Sequence, residues 1–322
     1  MSDAFGTCVA LSGGVGGAKL ALGLSKNMAP EHLNVIVNTG DDFEHLGLTI
    51  CPDLDTLTYT LAGLNNTETG WGRMGETWTF MAALKALGGE SWFQLGDGDL
   101  ATHVERTRRL AAGESLSTVT AALTAQLGIK VAITPMSDDP VRTCVETADG
   151  ALAFQHYFVR DQCAPIVTGF EFRGVAAARP SPAALRALAD PALGAVVICP
   201  SNPFISIDPV LAVPGLRAAI RTAAAPVIAV SPIVGGRAIK GPTAKMMAEL
   251  GVRQSAVSVA QHYQGLIDGF VLDSEDEAAS DEIRALGLDV LTTNTVMQSL
   301  EDRVSLAADV LEFAAVLRSG SK

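Results

Sequence analysis

The chain has 322 residues, of which 48% are hydrophobic and only 18% charged, so it can build a packed core and is not a disordered sequence. A formal net charge of −12 excludes a duplex-binding role and attraction to an anionic membrane surface, so nucleic acid and membrane are not expected partners. A phosphorylated substrate must then be held by backbone N–H groups, a few basic residues or a metal.

The first unit reads strand, loop, helix: Thr7–Leu11 is short and apolar, Ser12–Gly17 is glycine-rich, and Ala18–Lys26 has helical spacing. Asn34–Val37 is a second strand, followed by the polar loop Asn38–Asp42. Pro52 stands where a helix N-terminus tolerates proline, and Asp53–Leu64 continues as a helix. After a loop from Asn65 to Gly75 come three helical runs, Glu76–Leu87, Leu100–Ala112 and Leu116–Leu127. They interrupt the strand–helix alternation and predict an inserted helical subdomain over about 65–128. Lys130–Thr134, Val141–Thr147 and Ala151–Phe158 read as strands around an Asp149-Gly150 turn, a β-hairpin region over about 130–175.

Alternation then resumes. Ser181-Pro182 opens a helix, and Ala195–Cys199, Val227–Val230, Phe270–Leu272 and Val290–Leu291 are strands. Between and after them, Gly215–Ala224, Thr243–Leu250, Asp276–Leu286 and Leu300–Arg318 are helical. The expected fold is a single α/β domain over 1–322, Rossmann-like and doubly wound, with a mostly parallel sheet covered on both faces. Ligands of such sheets gather at the carboxyl ends of the strands near a switch point. That nominates the loops Ser12–Gly17, Thr39–Asp42, Pro200–Phe204, Ser231–Gly236 and Thr292–Thr295.

Five cysteines, Cys8, Cys51, Cys144, Cys163 and Cys199, are dispersed without C-x-x-C spacing, which fits reduced thiols. The N-terminal segment has neither the basic n-region nor the apolar h-region of a signal peptide, and no run approaches the ~18 apolar residues of a membrane span. A soluble cytoplasmic protein is expected.

In the glycine-rich loop, Gly13, Gly14, Gly16 and Gly17 let the backbone turn sharply and approach a phosphate, while the following helix offers free N–H groups. It is not a Walker A loop, because Gly-Lys-Ser/Thr is absent, and G-x-G-x-x-G is broken at Lys19. Phosphate binding is expected, with the nucleotide class open; the plainer reading is a tight strand-to-helix turn.

Asp41 and Asp42 follow strand two, and Asp53 and Asp55 open the next helix. Two carboxylates ~4 Å apart repel by about 4 kcal/mol at an effective dielectric near 20. Such a set takes up a proton or attracts a cation, and Mg²⁺ shared with substrate phosphates is the natural resolution. The plainer reading leaves Asp53 and Asp55 favouring the helix dipole and Asp42 in solvent. Asp97 and Asp99 precede His103, with Asp99 readable as an N-cap. Ser201 and Asn202, between two prolines, form a rigid polar loop suited to a base or phosphate. Arg237, Lys240 and Lys245 are three basic residues near one switch-point loop, an anion clamp or a solvated loop. Trp78 reads as a packing residue with stacking as the sharper alternative.

These residues resemble the family of 2-phospho-L-lactate transferases that build coenzyme F420. The likeness rests on SGGVGGAKL (12–20), VNTGDDFEHLGLTICPDLDT (37–56), GWGRMGETW (70–78), FQLGDGDLATH (93–103), PSNPFISIDP (200–209), SPIVGGRAIKGPTAKMM (231–247) and TTNTVMQSLEDR (292–303). It implies transfer of a phosphorylated three-carbon acid (phospholactate, phosphoenolpyruvate or phosphoglycerate) from a guanylylated donor to the deazaflavin Fo, with Mg²⁺ required and GMP released. On that resemblance, Gly13–Gly17 with Ser201 and Asn202 hold the donor, and Asp41 with Asp53 or Asp55 ligates Mg²⁺. Arg237, Lys240 and Lys245 stabilise diphosphate charge, Trp78, Asp97 and His103 face Fo, and a homodimer is expected. Two rivals are a non-catalytic nucleotide-sugar-binding regulator of similar fold and a nicotinamide-dependent dehydrogenase using Asp41 or Asp42 on the ribose.

Overall fold

The structure is a computed structural model that describes residues 6–68, 70–239 and 241–320. Seven strands, β1 (Thr7–Ser12), β2 (Leu33–Val37), β3 (Ala132–Pro135), β4 (Leu193–Ile198), β5 (Val227–Val230), β6 (Gly269–Asp273) and β7 (Asp289–Thr293), form one sheet. All pair in parallel, in the order β3-β2-β1-β4-β5-β6-β7. This is the Rossmann-like α/β arrangement, with its topological switch between β1 and β4.

The central strands read as near-continuous apolar runs because both of their faces are covered: every residue of Leu193–Ile198 is buried. Alternate side chains divide between two cores, as the twofold period of a strand requires. Cys8 and Ala10 of β1 pack with Leu20 and Leu24 of α1 (Gly14–Asn27) and with Leu306 and Val310 of the closing helix Leu300–Gly320. Val9 and Leu11 turn to the other face, against Leu188, Leu216, Ile220 and Val257.

The crossover from β2 to β3 is long. It holds a small hairpin (Phe43–His45 with Leu48–Ile50) and four helices, α2 (Pro52–Ala62), α3 (Thr79–Ala86), α4 (Asp97–Ala111) and α5 (Leu116–Gln126). Lys130–Thr134, expected in the antiparallel region, instead supplies an edge of the central sheet: Ile133 is in register with Val35 of β2. The antiparallel sheet that follows has three strands, Gly150–Ala153, Arg142–Thr147 and, not foreseen, Gly169–Arg173.

The strand expected over Ala151–Phe158 stops at Ala153. Beyond it the chain coils as a π-helix over His156–Arg160, because Phe154 and Tyr157 both turn into one small core with Val145, Ile205 and Met246. A helix at Ala256–His262 was also not foreseen. No helix among the described residues is long and apolar enough to cross a membrane.

Candidate active site

The loops after β1 and β4 meet at the switch point. Helix α1 begins at Gly14, four residues before the expected Ala18, so most of the glycine-rich loop is the helix's own first turn. The glycines have different reasons. Gly14 has φ +64° and open space where a side chain would be. The other three permit close packing: a Cβ at Gly16 would stand 2.2 Å from the Pro200 carbonyl oxygen, at Gly17 2.4 Å from Ser12 Oγ, and at Gly13 2.5 Å from Ser206 Cβ. Ser201 fastens the two loops, its hydroxyl donating to Gly13 O at 2.8 Å. Asn202 caps its own turn, Oδ1 accepting from the Phe204 N–H at 3.0 Å.

Beneath this seam lies a buried carboxylate floor. Asp53, in the first turn of α2, accepts from the Gly14 N–H at 2.7 Å and from Asn38 Nδ2 at 2.9 Å. Asn38 is fully buried at the end of β2 and also donates to Ile205 O at 3.2 Å, while its Oδ1 accepts from the Gly40 N–H at 2.8 Å. It therefore ties the loops after β1, β2 and β4 together.

Burial pushes the Asp53 carboxyl up to about 6, against the pull of Asn38 and the Gly14 N–H. Asp41 is pushed well above the ordinary carboxylate range, by burial first and then by the charge of Asp53. Asp42, which the plainer reading left in solvent, is buried and raised by burial to about 7, with Arg142 and the Cys51 thiol opposing the rise. Asp41 Oδ1 and Asp42 Oδ1 are buried without a hydrogen-bond partner. Buried carboxyl oxygens left unmatched are costly. Asp41 and Asp53 act on each other's charge and could both offer oxygen to a hard divalent cation, whereas Asp42 is influenced by Arg142, Arg106 and Asp55.

Asp55, also in the first turn of α2, is treated differently. Arg106 of α4 holds both of its oxygens, Nη1 at 3.1 Å from Oδ2 and Nη2 on Oδ1. His103 Nδ1 lies 3.7 Å from Asp55, and His103 Nε2 lies 3.1 Å from Asp99 Oδ2. Asp55, Asp99 and His103 are close enough to share a cation, but the guanidinium already supplies the positive charge at Asp55. That speaks for Asp41 and Asp53, rather than Asp55, as cation ligands.

The remaining expected site residues are scattered. Asp97 is the cap of α3, its carboxylate accepting from the N–H groups of Thr79 (3.1 Å) and Phe80 (3.0 Å), which is why that helix starts at Thr79 and not at Glu76. Asp99 does not cap α4: Glu76 does, accepting from the N–H groups of Gly98 and Asp99. Trp78 is half-exposed beside Trp71, with ring centroids 6.2 Å apart. Arg237 pairs with Glu275 at the surface.

Lys245 donates to Glu249 at 2.5 Å and to Pro165 O at 3.0 Å, whereas its neighbour Met246 is the residue that touches Asn202. Lys240 lies outside the described residues. Asn38 and Arg106 were not singled out as site residues, whereas Asp42 belonged to the expected carboxylate set. Asn38 carried a signal in its place directly after β2, while Arg106 had none beyond its three-residue spacing from His103.

The family model of 2-phospho-L-lactate transferase CofD matches residues 8–305. The chain belongs to the 2-phospho-L-lactate transferase family. Among related proteins, the phosphoenolpyruvate transferase of Kitasatospora aureofaciens is 42% identical, covering 97% of this chain and 99% of its own. The 2-phospho-L-lactate transferase of Methanosarcina mazei is 38% identical, covering 94% and 99%. A solved structure of a UPF0052-family protein from Bacillus halodurans superposes with a TM-score of 0.61 over 95% of this chain and 99% of that one. At 14% identity it speaks to fold alone. As a member of the 2-phospho-L-lactate transferase family, the chain is a transferase, and small-molecule substrates fit an enzyme of this family.

Proposed function

We propose that the protein transfers a phosphorylated three-carbon acid from a guanylylated donor to the deazaflavin Fo, releasing GMP, as a Mg²⁺-dependent step of coenzyme F420 biosynthesis. The observation that carries this reading is the buried Asp53 carboxylate against Gly13 and Gly14 at the switch point, acting on the charge of Asp41, whose Oδ1 has no hydrogen-bond partner. Backbone N–H groups at the start of α1 suit an anionic diphosphate, and the carboxylates suit the cation that travels with one.

Asp41 and Asp53 would hold Mg²⁺. When bound, the ion neutralises charge on the diphosphate and orients it for in-line displacement. Asn38 keeps Asp53 aimed at the seam, and Ser201 keeps the two loops in contact, so the donor meets a preformed floor. The terminal hydroxyl of Fo attacks the phosphorus on the acid side, the bond from that phosphorus to the bridging oxygen breaks, and GMP leaves. The proton released by the hydroxyl passes to a nearby carboxylate or to water. Positioning and charge neutralisation supply most of the acceleration.

Phosphoenolpyruvate is the acid to try first, because relatives named phosphoenolpyruvate transferase reach 42% identity against 38% for those named 2-phospho-L-lactate transferase. The test is GMP release from each of the three guanylylated donors, with and without Fo and Mg²⁺, with the deazaflavin product weighed by mass spectrometry. Release that needs both Fo and Mg²⁺ establishes the reaction and ranks the acids. A folded protein that releases nothing from any donor refutes it.

A further inference from the structure

The antiparallel sheet carries none of the expected site residues, yet its central strand, Arg142–Thr147, is bonded to the loop that bears Asp41 and Asp42. Resting on the transfer reaction proposed above, we propose that Thr143 of this strand is a positioning residue: it holds Asp41 in the orientation in which Asp41 and Asp53 share a divalent cation.

The first observation is a backbone clamp. The strand Gly150–Ala153 ends opposite Cys144, so the next position on that edge is taken by the loop. There the Thr143 N–H donates to Gly40 O at 2.6 Å. The N–H of Gly40 is held as well, by Asn38 Oδ1 at 2.8 Å. Gly40 O belongs to the peptide unit that leads into Asp41. That unit is planar, so fixing its oxygen fixes the plane from which the Asp41 side chain departs.

The second is the closeness of the approach. Thr143 is only 2% exposed. A Cβ at residue 40 would stand 2.6 Å from Thr143 Oγ1 and 3.0 Å from both Asn38 Oδ1 and Pro209 Cβ. Gly40 is therefore what lets the loop close onto the threonine.

The third is the hydroxyl. Burial raises the Asp41 carboxyl most, and Asn38 and then Thr143 oppose the rise, so the threonine hydroxyl stands beside the carboxyl. Among the described residues, Thr143 Oγ1 and Asp41 Oδ1 are both buried without a hydrogen-bond partner. The hydroxyl is thus committed to no other group, and it can rotate to donate. A carboxylate that ligates a metal is ordinarily held by such a donor.

Arg142, the preceding residue, serves the other carboxyl: its charge is the foremost influence opposing the rise at Asp42. Successive residues of a strand point to opposite sides. The strand therefore addresses the two neighbouring aspartates separately, with a charge for Asp42 and a neutral donor for Asp41. Asp41 is left in need of a cation and already aimed.

The test is the Mg²⁺ response of the full chain without donor or acceptor, its affinity read from the melting temperature against Mg²⁺ concentration. Thr143→Val resembles threonine in shape and keeps the backbone N–H, but lacks the hydroxyl. It is expected to weaken Mg²⁺ affinity about 10–100-fold, the usual scale for losing a group that holds a metal ligand. Without Mg²⁺ its melting temperature should stay level or rise, because the lost hydroxyl leaves no partner stranded. Thr143→Ser, which keeps the donor, should bind Mg²⁺ within about threefold of the wild type. If Thr143→Val does not fold, Thr143→Ala carries the same expectation. In steady state the Mg²⁺ concentration for half-maximal GMP release should rise with the loss of affinity. An equal Mg²⁺ response in Thr143→Val and wild type overturns the assignment, as does a serine variant that loses as much as valine. A lower metal-free melting temperature with unchanged Mg²⁺ affinity makes Thr143 a packing residue only. A wild type that responds to Mg²⁺ but releases no GMP from any donor refutes the transfer reading, and Thr143 is then judged on the Mg²⁺ response of its variants. A wild type that releases GMP but shows no Mg²⁺ response overturns the Thr143 assignment alone.

Discussion

Asp53 and Asp55 stand two residues apart in the first turn of one helix, both buried, and the molecule handles them in opposite ways. Asp55 faces the helical crossover, where Arg106 holds both of its oxygens and His103 and Asp99 continue the network. Asp53 faces the switch point, where its partners are an amide and a backbone N–H, and its charge acts on the like-charged Asp41. One region carries its own countercharge and is complete without a ligand. At Asp41 and Asp53 the other has no cationic side chain among the described residues acting on it, although Arg142 acts on neighbouring Asp42. A buried carboxylate group left uncompensated marks the place where something else belongs.

The sharpest way to break this comparison is Asp41→Asn. If the floor exists to hold a cation, the change removes one ligand charge from the reacting centre. Turnover should fall about a thousandfold or more, the scale on which loss of a transition-state charge stabiliser is felt. The fold should survive, because the substitution relieves repulsion with Asp53, so the melting temperature is expected to stay level or rise. GMP release and a thermal melt on the same preparation decide it: retained turnover would remove Asp41 from the site.

Arg106→Leu probes the opposite region. It strands the Asp55 charge in a buried place, which costs about 3–5 kcal/mol when one partner of a buried pair is lost. Urea unfolding should show that loss, and Asp55→Asn in the same chain should restore much of it. A cost below about 1 kcal/mol for Arg106→Leu would mean that Asp55 is not compensated in the way the geometry indicates.

How much of this was legible beforehand depended on sequence distance. The switch-point loops could be nominated because a glycine run, a polar loop after β2 and a proline-flanked Ser201-Asn202 each stand at the end of an apolar strand. Partnership across long separations could not. Nothing near Asp55 announces an arginine 51 residues later, and nothing near Asp42 announces that the hairpin and α2 will bury it. Asp97 and Asp99, which look equivalent in Gly96-Asp97-Gly98-Asp99, are separated only by tertiary contacts: one caps α3 and the other lines a cleft. The glycines were legible as a close-approach motif, yet what approaches Gly16 and Gly17 in the structure is the β4 loop.

A gentler test uses pH. In the folded state without a divalent cation, Asp42 holds its proton up to about 7 and Asp53 up to about 6, whereas unfolded aspartates release theirs near an ordinary value of about 3.9. These carboxyls are raised on folding, so between about pH 4 and 7 unfolding releases protons and stability falls as pH rises. Mg²⁺ binds the ionised floor and reverses that loss. The melting temperature should therefore gain more from Mg²⁺ at pH 7.5 than at pH 5, and an equal gain at both would show that the cation binds elsewhere.

The smallest expected effect concerns Lys245, a cation that the sequence offered to the diphosphate. Its ammonium is directed to Glu249 and the Pro165 carbonyl, and about a third of the side chain is exposed. An ion pair of that exposure contributes about 0–1 kcal/mol. Lys245→Ala should thus change stability by less than about 1 kcal/mol and leave kcat/KM within about threefold, near the limit of what exposed pairs of this kind are worth. The reason is geometric: on helix Thr243–Glu249, Met246 takes the position beside Asn202, and Lys245 leaves the helix on another side. A hundredfold loss of turnover would mean that donor binding draws this helix round to the phosphates. The switch point would then gain its missing positive charge from protein as well as from metal, and the contrast with the self-sufficient crossover would narrow.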